Sequence, residues 1–321
     1  MMSQRPKIWI SRKLSDATLQ RAGRDYDIIV NEADTLSSAD DIVAMSARVD
    51  GIIPCHSEFF SADVAAQLNP RLKIIANHSV GVDHCDLPAL KARGITVTNT
   101  PDVLSDATAE IAMLLLLGAA RRAVEGDHLV RSGKWDFWSP SFMVGKQVTG
   151  ARLGIIGMGR VGQAMARKAR GFDMEIHYFN RRKLPAELEQ GAVYHATIEG
   201  LLGVADFLSL HCPATKETTG LMNANAFNCL PDGAIVVNTA RGALIVEADM
   251  IAALQSGKIA AAGLDCFAVE PGGNPAFAEF ENLFMLPHIG SATVKTRDAM
   301  GFRALDNLDA FFAGKTPVDL L

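Results

Sequence analysis

The sequence predicts an α/β protein made of two doubly wound parallel-sheet domains, and three observations carry that expectation. Short β-branched runs alternate with segments of helical apolar spacing from the first residues onward, the pattern of parallel strands joined by crossover helices. At 321 residues the chain exceeds the size at which one hydrophobic core stops growing, so two domains are expected. Near the middle, a glycine-rich turn between an apolar strand and a helical pattern opens a second βα series.

In the first series the strands are expected at Ile8–Ile10, Asp27–Val30, Gly51–Pro54, Leu72–Asn77 and Ile95–Thr98. Between them, Asp40–Arg48, Ser61–Leu68 and Leu87–Arg93 have helical spacing, with Asp40 and Ser61 as N-caps. Asp106 to Arg131 reads as one long helix opened by an N-capping Asp106 and so apolar over Ile111–Leu117 that it must be buried on several sides. Trp135 to Gly150 follows, carrying Trp135, Phe137, Trp138, Phe142 and Met143 without periodicity. Aromatic loops of this kind suggest an arm packed on another subunit. The second series has strands at Arg152–Ile156, Glu175–Phe179, Phe207–Leu210, Ile235–Asn238, Ala261–Asp265 and Leu283–Leu286, and Ser291–Ala313 returns to helix. If that helix packs on the first series, the N-terminal domain is discontinuous, comprising 1–102 and 290–321, with 103–289 inserted.

Composition removes several classes of function. A formal charge of -5 offers no basic surplus for nucleic acid or an anionic membrane. Met1–Lys13 has no apolar signal region, and the longest apolar run, Ile111–Leu117, is too short to span a bilayer, so a cytoplasmic location is expected. The five cysteines, Cys55, Cys85, Cys212, Cys229 and Cys266, show no zinc spacing and read as reduced thiols; no metal is expected.

The chemistry concentrates in the second series. In Leu153-Gly-Ile-Ile-Gly-Met-Gly-Arg-Val-Gly162, Gly157 allows the tight turn, Gly159 admits a pyrophosphate and Gly162 lets helix and strand pack closely, a dinucleotide fingerprint in its proper context. The next strand ends in Asn180-Arg181-Arg182 where an NAD-binding protein places an acid. Two guanidiniums without a carboxylate favour a 2'-phosphate, hence NADP over NAD. Arg241, Glu270 and His288 each follow a strand, at the edge where ligands sit in open α/β sheets. Hydride delivery to a ketone needs a proton donor at the oxygen and a cation for a neighbouring carboxylate. His288 and Arg241 suit those needs, and Glu270 can stabilise the imidazolium.

With these motifs, Ser79-Val-Gly-Val-Asp-His84, Thr98–Glu110, Asn238-Thr-Ala-Arg-Gly-Ala243, Asp265–Pro271 and Leu286–Thr293, the chain resembles the D-isomer-specific 2-hydroxyacid dehydrogenases over nearly its whole length. Lys134-Trp-Asp-Phe-Trp-Ser-Pro140 and the Asn-Arg-Arg segment are most similar to the glyoxylate/hydroxypyruvate reductases. The resemblance implies a Rossmann domain inserted into a discontinuous flavodoxin-like substrate domain, with the active site in the cleft. It implies a catalytic triad of Arg241, Glu270 and His288, with His288 the proton donor, and a substrate carboxylate received by Arg241, the backbone at Val80–Gly81, and Ser291 nearby. Thr108, Arg160, Val161, Cys212, Pro213, Thr218, Thr239, Ala240 and Asp265 are implied to line the cofactor beside the glycine loop and Asn180–Arg182. It further implies a homodimer in which the arm around Trp138 limits the substrate side chain. Glyoxylate and hydroxypyruvate reduction by NADPH is the expected activity, with NAD possible. The alternatives are reduction of a larger keto acid such as hydroxyphenylpyruvate, phosphoglycerate dehydrogenase, D-lactate dehydrogenase and, in another class, a cofactor-sensing corepressor. Pro54–Phe60 has no Arg or Lys for a substrate phosphate, which weighs against the phosphoglycerate reading.

Overall fold

A computed structural model describes residues 5–321. They divide into two compact units: residues up to Leu104 together with Ser291–Leu321, and Ser105–Gly290.

In chain order the first unit runs β1 (Lys7–Ile10), α1 (Asp16–Asp25), β2 (Asp27–Val30), α2 (Ala39–Ser46), β3 (Gly51–Ile53), α3 (Ala62–Gln67), β4 (Ile74–Ala76), α4 (Leu87–Ala92) and β5 (Thr96–Thr98). Ser61 caps α3 as expected. The cap of α2 is Ser38 and not Asp40: Ser38 and Asp41 form a reciprocal capping box, which satisfies two helix donors and draws the start back.

The second unit runs α5 (Ser105–Ala120), α6 (Ala123–Arg131), β6 (Arg152–Ile156), α7 (Arg160–Arg170), β7 (Glu175–Phe179), α8 (Ala186–Glu189), β8 (Val193–His195), α9 (Ile198–Leu202), β9 (Phe207–Leu210), α10 (Ala224–Cys229), β10 (Ala234–Asn238), α11 (Glu247–Gln255), β11 (Ile259–Leu264) and β12 (Leu283–Met285). The single helix expected from Asp106 to Arg131 is two, because Arg122 takes a left-handed conformation at φ 55° between them. Nor does Asp106 cap the helix: it lies within the first turn, where Arg167 and Lys168 of α7 hold its carboxylate. Leu115 and Leu116 of α5 are fully buried within this unit's core. The chain then returns to the first unit as α12 (Val294–Phe312).

Every strand pair in both sheets is parallel. The first unit's five strands lie in the order β2-β1-β3-β4-β5, the flavodoxin-like order. Neighbouring residues point to opposite faces: Ile8, Ile10, Ile53 and Ile74 pack with Ala304, Leu305 and Leu308 of α12, while Trp9, Ile52 and Ile75 pack with Val64 of α3, Leu68 just after it and Leu90 of α4. The second unit's seven strands lie in the order β12-β11-β10-β9-β6-β7-β8. That is the doubly wound Rossmann order extended by β12, and it reverses between β6 and β9, the point where such sheets bind ligands. Among the described residues no helix is long and apolar enough to cross a membrane.

Candidate active site

The glycine loop lies at that reversal. Gly157 leaves β6 with φ 95°, a conformation that side chains resist, and a Cβ there would stand 2.5 Å from the Cys212 amide nitrogen. A Cβ on Gly162 would overlap the Gly157 carbonyl, whereas one on Gly159 would meet only open space. Gly157 and Gly162 therefore close the turn, and Gly159 keeps the approach clear at the start of α7, where as N-cap it offers no side-chain acceptor to the first-turn N–H groups. This cradle fits a dinucleotide pyrophosphate.

Asn180 follows β7, and its Oδ1 accepts a hydrogen bond from the Met158 amide at 2.7 Å, bracing the glycine loop. Arg181 and Arg182 are exposed beside it. On the neighbouring loop the Thr218 hydroxyl donates to the Pro213 carbonyl at 2.7 Å and accepts from the Thr215 amide at 2.8 Å, fixing the turn that follows Cys212. Thr215 also donates to Glu217 at 2.7 Å, and that bond, with a smaller pull from Arg181, lowers the Glu217 carboxyl below its ordinary range. Below this loop His211 is bonded to Ser209 at 2.9 Å, with Thr239 at 3.5 Å. Burial pushes its imidazole down to about 4, so it is neutral at physiological pH.

The three charged residues are held by turns at the ends of β10, β11 and β12. Asn238 grips the first turn with both ends of its amide: Nδ2 donates to the Arg241 carbonyl at 2.8 Å, and Oδ1 accepts from the Ala240 amide at 3.0 Å. Arg241 Nη1 donates to the Ala240 carbonyl at 2.7 Å. Asp265 at the end of β11 takes the Ile289 and Gly290 amides on its two oxygens, at 2.8 and 2.7 Å. Those bonds fix the turn in which His288 sits in the left-handed region, φ 54°. Burial raises the Asp265 carboxyl above its ordinary range, against the opposing pull of the Ile289 amide and the His288 charge. Thr108, buried in α5, lies under the same turn, since a Cβ on Gly290 would stand 3.4 Å from its hydroxyl.

Glu270 and His288 meet directly. His288 Nδ1 and Glu270 Oε2 are 2.5 Å apart, and Glu270 Oε1 accepts from the Phe267 amide at 2.7 Å. The carboxylate thus holds the ring in one orientation.

The remaining expected residues stand as follows. In the first unit, Asn99 Nδ2 donates to the Val80 carbonyl at 2.8 Å, and Ser79 Oγ donates to the Gly81 carbonyl at 2.8 Å. Ser291 accepts from the Thr293 amide at 2.9 Å just before α12. In the arm, Trp138 is 72 % exposed, Phe137 packs edge-on against Phe142 at 4.8 Å, and α6 beside it buries no residue. The bracing roles of Asn180 and Asp265 escape a reading of the sequence, since each works through a backbone amide far along the chain. So does Glu247 at the start of α11, whose carboxylate reaches the loop that carries Glu270.

A Rossmann-ordered sheet, a phosphate cradle at its reversal point, and an acid-paired histidine and a held arginine at the same sheet edge together define a nicotinamide-dependent oxidoreductase. The chain belongs to the D-isomer-specific 2-hydroxyacid dehydrogenase family: residues 113–290 match that family's NAD-binding domain. It is 42 % identical to the glycerate dehydrogenase of Hyphomicrobium methylovorum over 96 % of both chains. It is 40 % identical to the glyoxylate reductase of Pyrococcus furiosus, over 99 % of this chain and 95 % of that one. Among solved structures, the NADPH-dependent glyoxylate/hydroxypyruvate reductase of Sinorhizobium meliloti, in complex with NADP and malonate, superposes with a TM-score of 0.87 at 32 % identity, covering 99 % of this chain and 97 % of that one. The protein is accordingly a D-2-hydroxyacid dehydrogenase.

Proposed function

We propose that the protein reduces glyoxylate and hydroxypyruvate to glycolate and D-glycerate, with NADPH preferred over NADH. The observation that carries this reading is the 2.5 Å pairing of His288 with Glu270, on the same sheet edge as Arg241 and the glycine loop. The names of the relatives support the substrate class: one is a glycerate dehydrogenase and another a glyoxylate reductase.

The glycine loop and Thr108, Arg160, Val161, Cys212, Pro213, Thr218, Thr239, Ala240 and Asp265 would hold the dinucleotide, with Asn180, Arg181 and Arg182 around its adenosine ribose. When bound, NADPH supplies the hydride that reaches the keto carbon. His288 has Nδ1 committed to Glu270, so it delivers the balancing proton to the keto oxygen from Nε2. Arg241 binds the substrate carboxylate through its guanidinium fork. In the first unit the Val80–Gly81 peptide is assigned to substrate-carboxylate binding: Asn99 holds the Val80 carbonyl, and a trans peptide turns the Gly81 N–H the opposite way. Ser291 assists. Two guanidiniums near the ribose, each charge-assisted bond worth about 1.5–3 kcal/mol, favour a 2'-phosphate by roughly ten- to a hundredfold. The exposed aromatics of the arm are assigned to a homodimer contact, with Trp138 restricting the substrate side chain, and the location is assigned to the cytoplasm.

The stereochemistry of the product tests the reading. Hydroxypyruvate and NADPH should yield D-glycerate alone; L-glycerate, or no glycerate, contradicts it.

A further inference from the structure

The loop that carries Glu270, from Phe267 to Asn274, has a second carboxylate at its base. It belongs to Glu247, the first residue of α11. An acid at a helix start ordinarily faces that helix's own N–H groups. Here both oxygens turn to the loop instead: Oε1 accepts from the Ala268 amide at 3.0 Å and Oε2 accepts from Asn274 Nδ2 at 2.9 Å. These are the two ends of the segment in whose middle Glu270 lies. The same peptide is pressed from beneath by Gly242, where any side chain would overlap the Phe267–Ala268 backbone. One residue away, the Phe267 amide binds Glu270 Oε1 at 2.7 Å, and Glu270 Oε2 meets His288 at 2.5 Å.

We propose that Glu247 is a positioning residue for the reaction: its carboxylate clamps the Ala268–Asn274 loop shut, ties it to the Arg241 segment six residues upstream, and so aims Glu270 at His288. The proposal rests on the reading of Glu270 and His288 given above.

Glu247→Ala should lower kcat for glyoxylate about tenfold or more, while the Kd for NADPH changes less than about twofold, because the glycine loop lies on other strands. Since Glu247 acts through Glu270, the Glu247→Ala, Glu270→Gln double variant should lose no more than Glu270→Gln alone. Glu247→Gln, which keeps one acceptor, should fall between wild type and Glu247→Ala and serves if the alanine variant fails to fold. Amide exchange at Phe267 should quicken in both variants, reporting the displacement of Glu270 without any turnover. Undiminished kcat, losses that add in the double variant, or unchanged exchange at Phe267 each overturn the clamp. A wild-type protein that reduces no 2-keto acid overturns the proposed function instead, and the exchange measurement still decides whether Glu247 holds the loop.

Discussion

The candidate substrate-binding groups at the carboxyl edge of the five-stranded sheet are backbone, whereas those at the carboxyl edge of the seven-stranded sheet are charged side chains. In the first unit Val80 and Gly81 are turned by neutral partners, Asn99 and Ser79. In the second, Arg241, Glu270 and His288 stand on turns gripped by Asn238, Asp265 and Glu247. Backbone N–H groups need only the right peptide orientation to bind an anion. Proton transfer needs a side chain held in one rotamer beside a partner of opposite charge. The difference teaches that the two edges should fail differently when perturbed: the second through kcat, the first through substrate KM.

His288→Gln gives the largest expected effect, a loss of about 10²–10⁴ in kcat with little change in NADPH affinity, because it removes the proposed proton donor and leaves the cradle untouched. Transient kinetics that showed an undiminished hydride step would remove His288 from the chemistry. Arg181→Ala sharpens the comparison within the second edge. It should raise the KM for NADPH about tenfold and leave that for NADH nearly unchanged, and equal effects on both would contradict the reading of Asn180–Arg182. Asn99→Ala tests the other edge: releasing the Val80 carbonyl should raise the glyoxylate KM a few-fold at nearly constant kcat. A kcat loss as large as that of His288→Gln would erase the contrast between the edges.

The smallest effect concerns stability, where the units behave alike. Each buries a histidine pushed down to about 4: His78 in the first, His211 in the second, burial being the main cause in both. An imidazole free in the unfolded chain titrates near 6.5, so between about 6.5 and 4 the unfolded state binds more protons than the folded one. Stability present above pH 6.5 is therefore lost progressively as pH falls toward 4. Melting temperatures measured from pH 7 to 4.5 should fall less steeply in His211→Gln than in wild type; parallel curves would show that His211 is not responsible.

Much of this arrangement is legible in the sequence because its signals are local. The glycine spacing, the Asn-Arg-Arg ending of β7 and the charged residue after each of three strands all lie within a few residues of a strand end. Boundaries set by weaker or competing local forces are not legible. Arg122 breaks a helix without a glycine or proline to announce it, and Ser38 outcompetes Asp40 as a cap because Asp41 reciprocates. The edge strand β8 is only three residues long and shows no clear alternation. The bracing contacts are the least legible, since Asn180 reaches Met158 across 22 residues, Glu247 reaches Asn274 across 27, and Asp265 reaches Gly290 across 25. Nothing in local spacing distinguishes such residues from solvated polar ones.

The central claim is most directly tested by initial rates of NADPH and NADH oxidation by the purified protein with glyoxylate, hydroxypyruvate, pyruvate, phenylpyruvate and phosphohydroxypyruvate. The account predicts that the first two substrates turn over fastest and with NADPH ahead of NADH. Faster turnover of the aromatic or phosphorylated acid, or a preference for NADH, would contradict it.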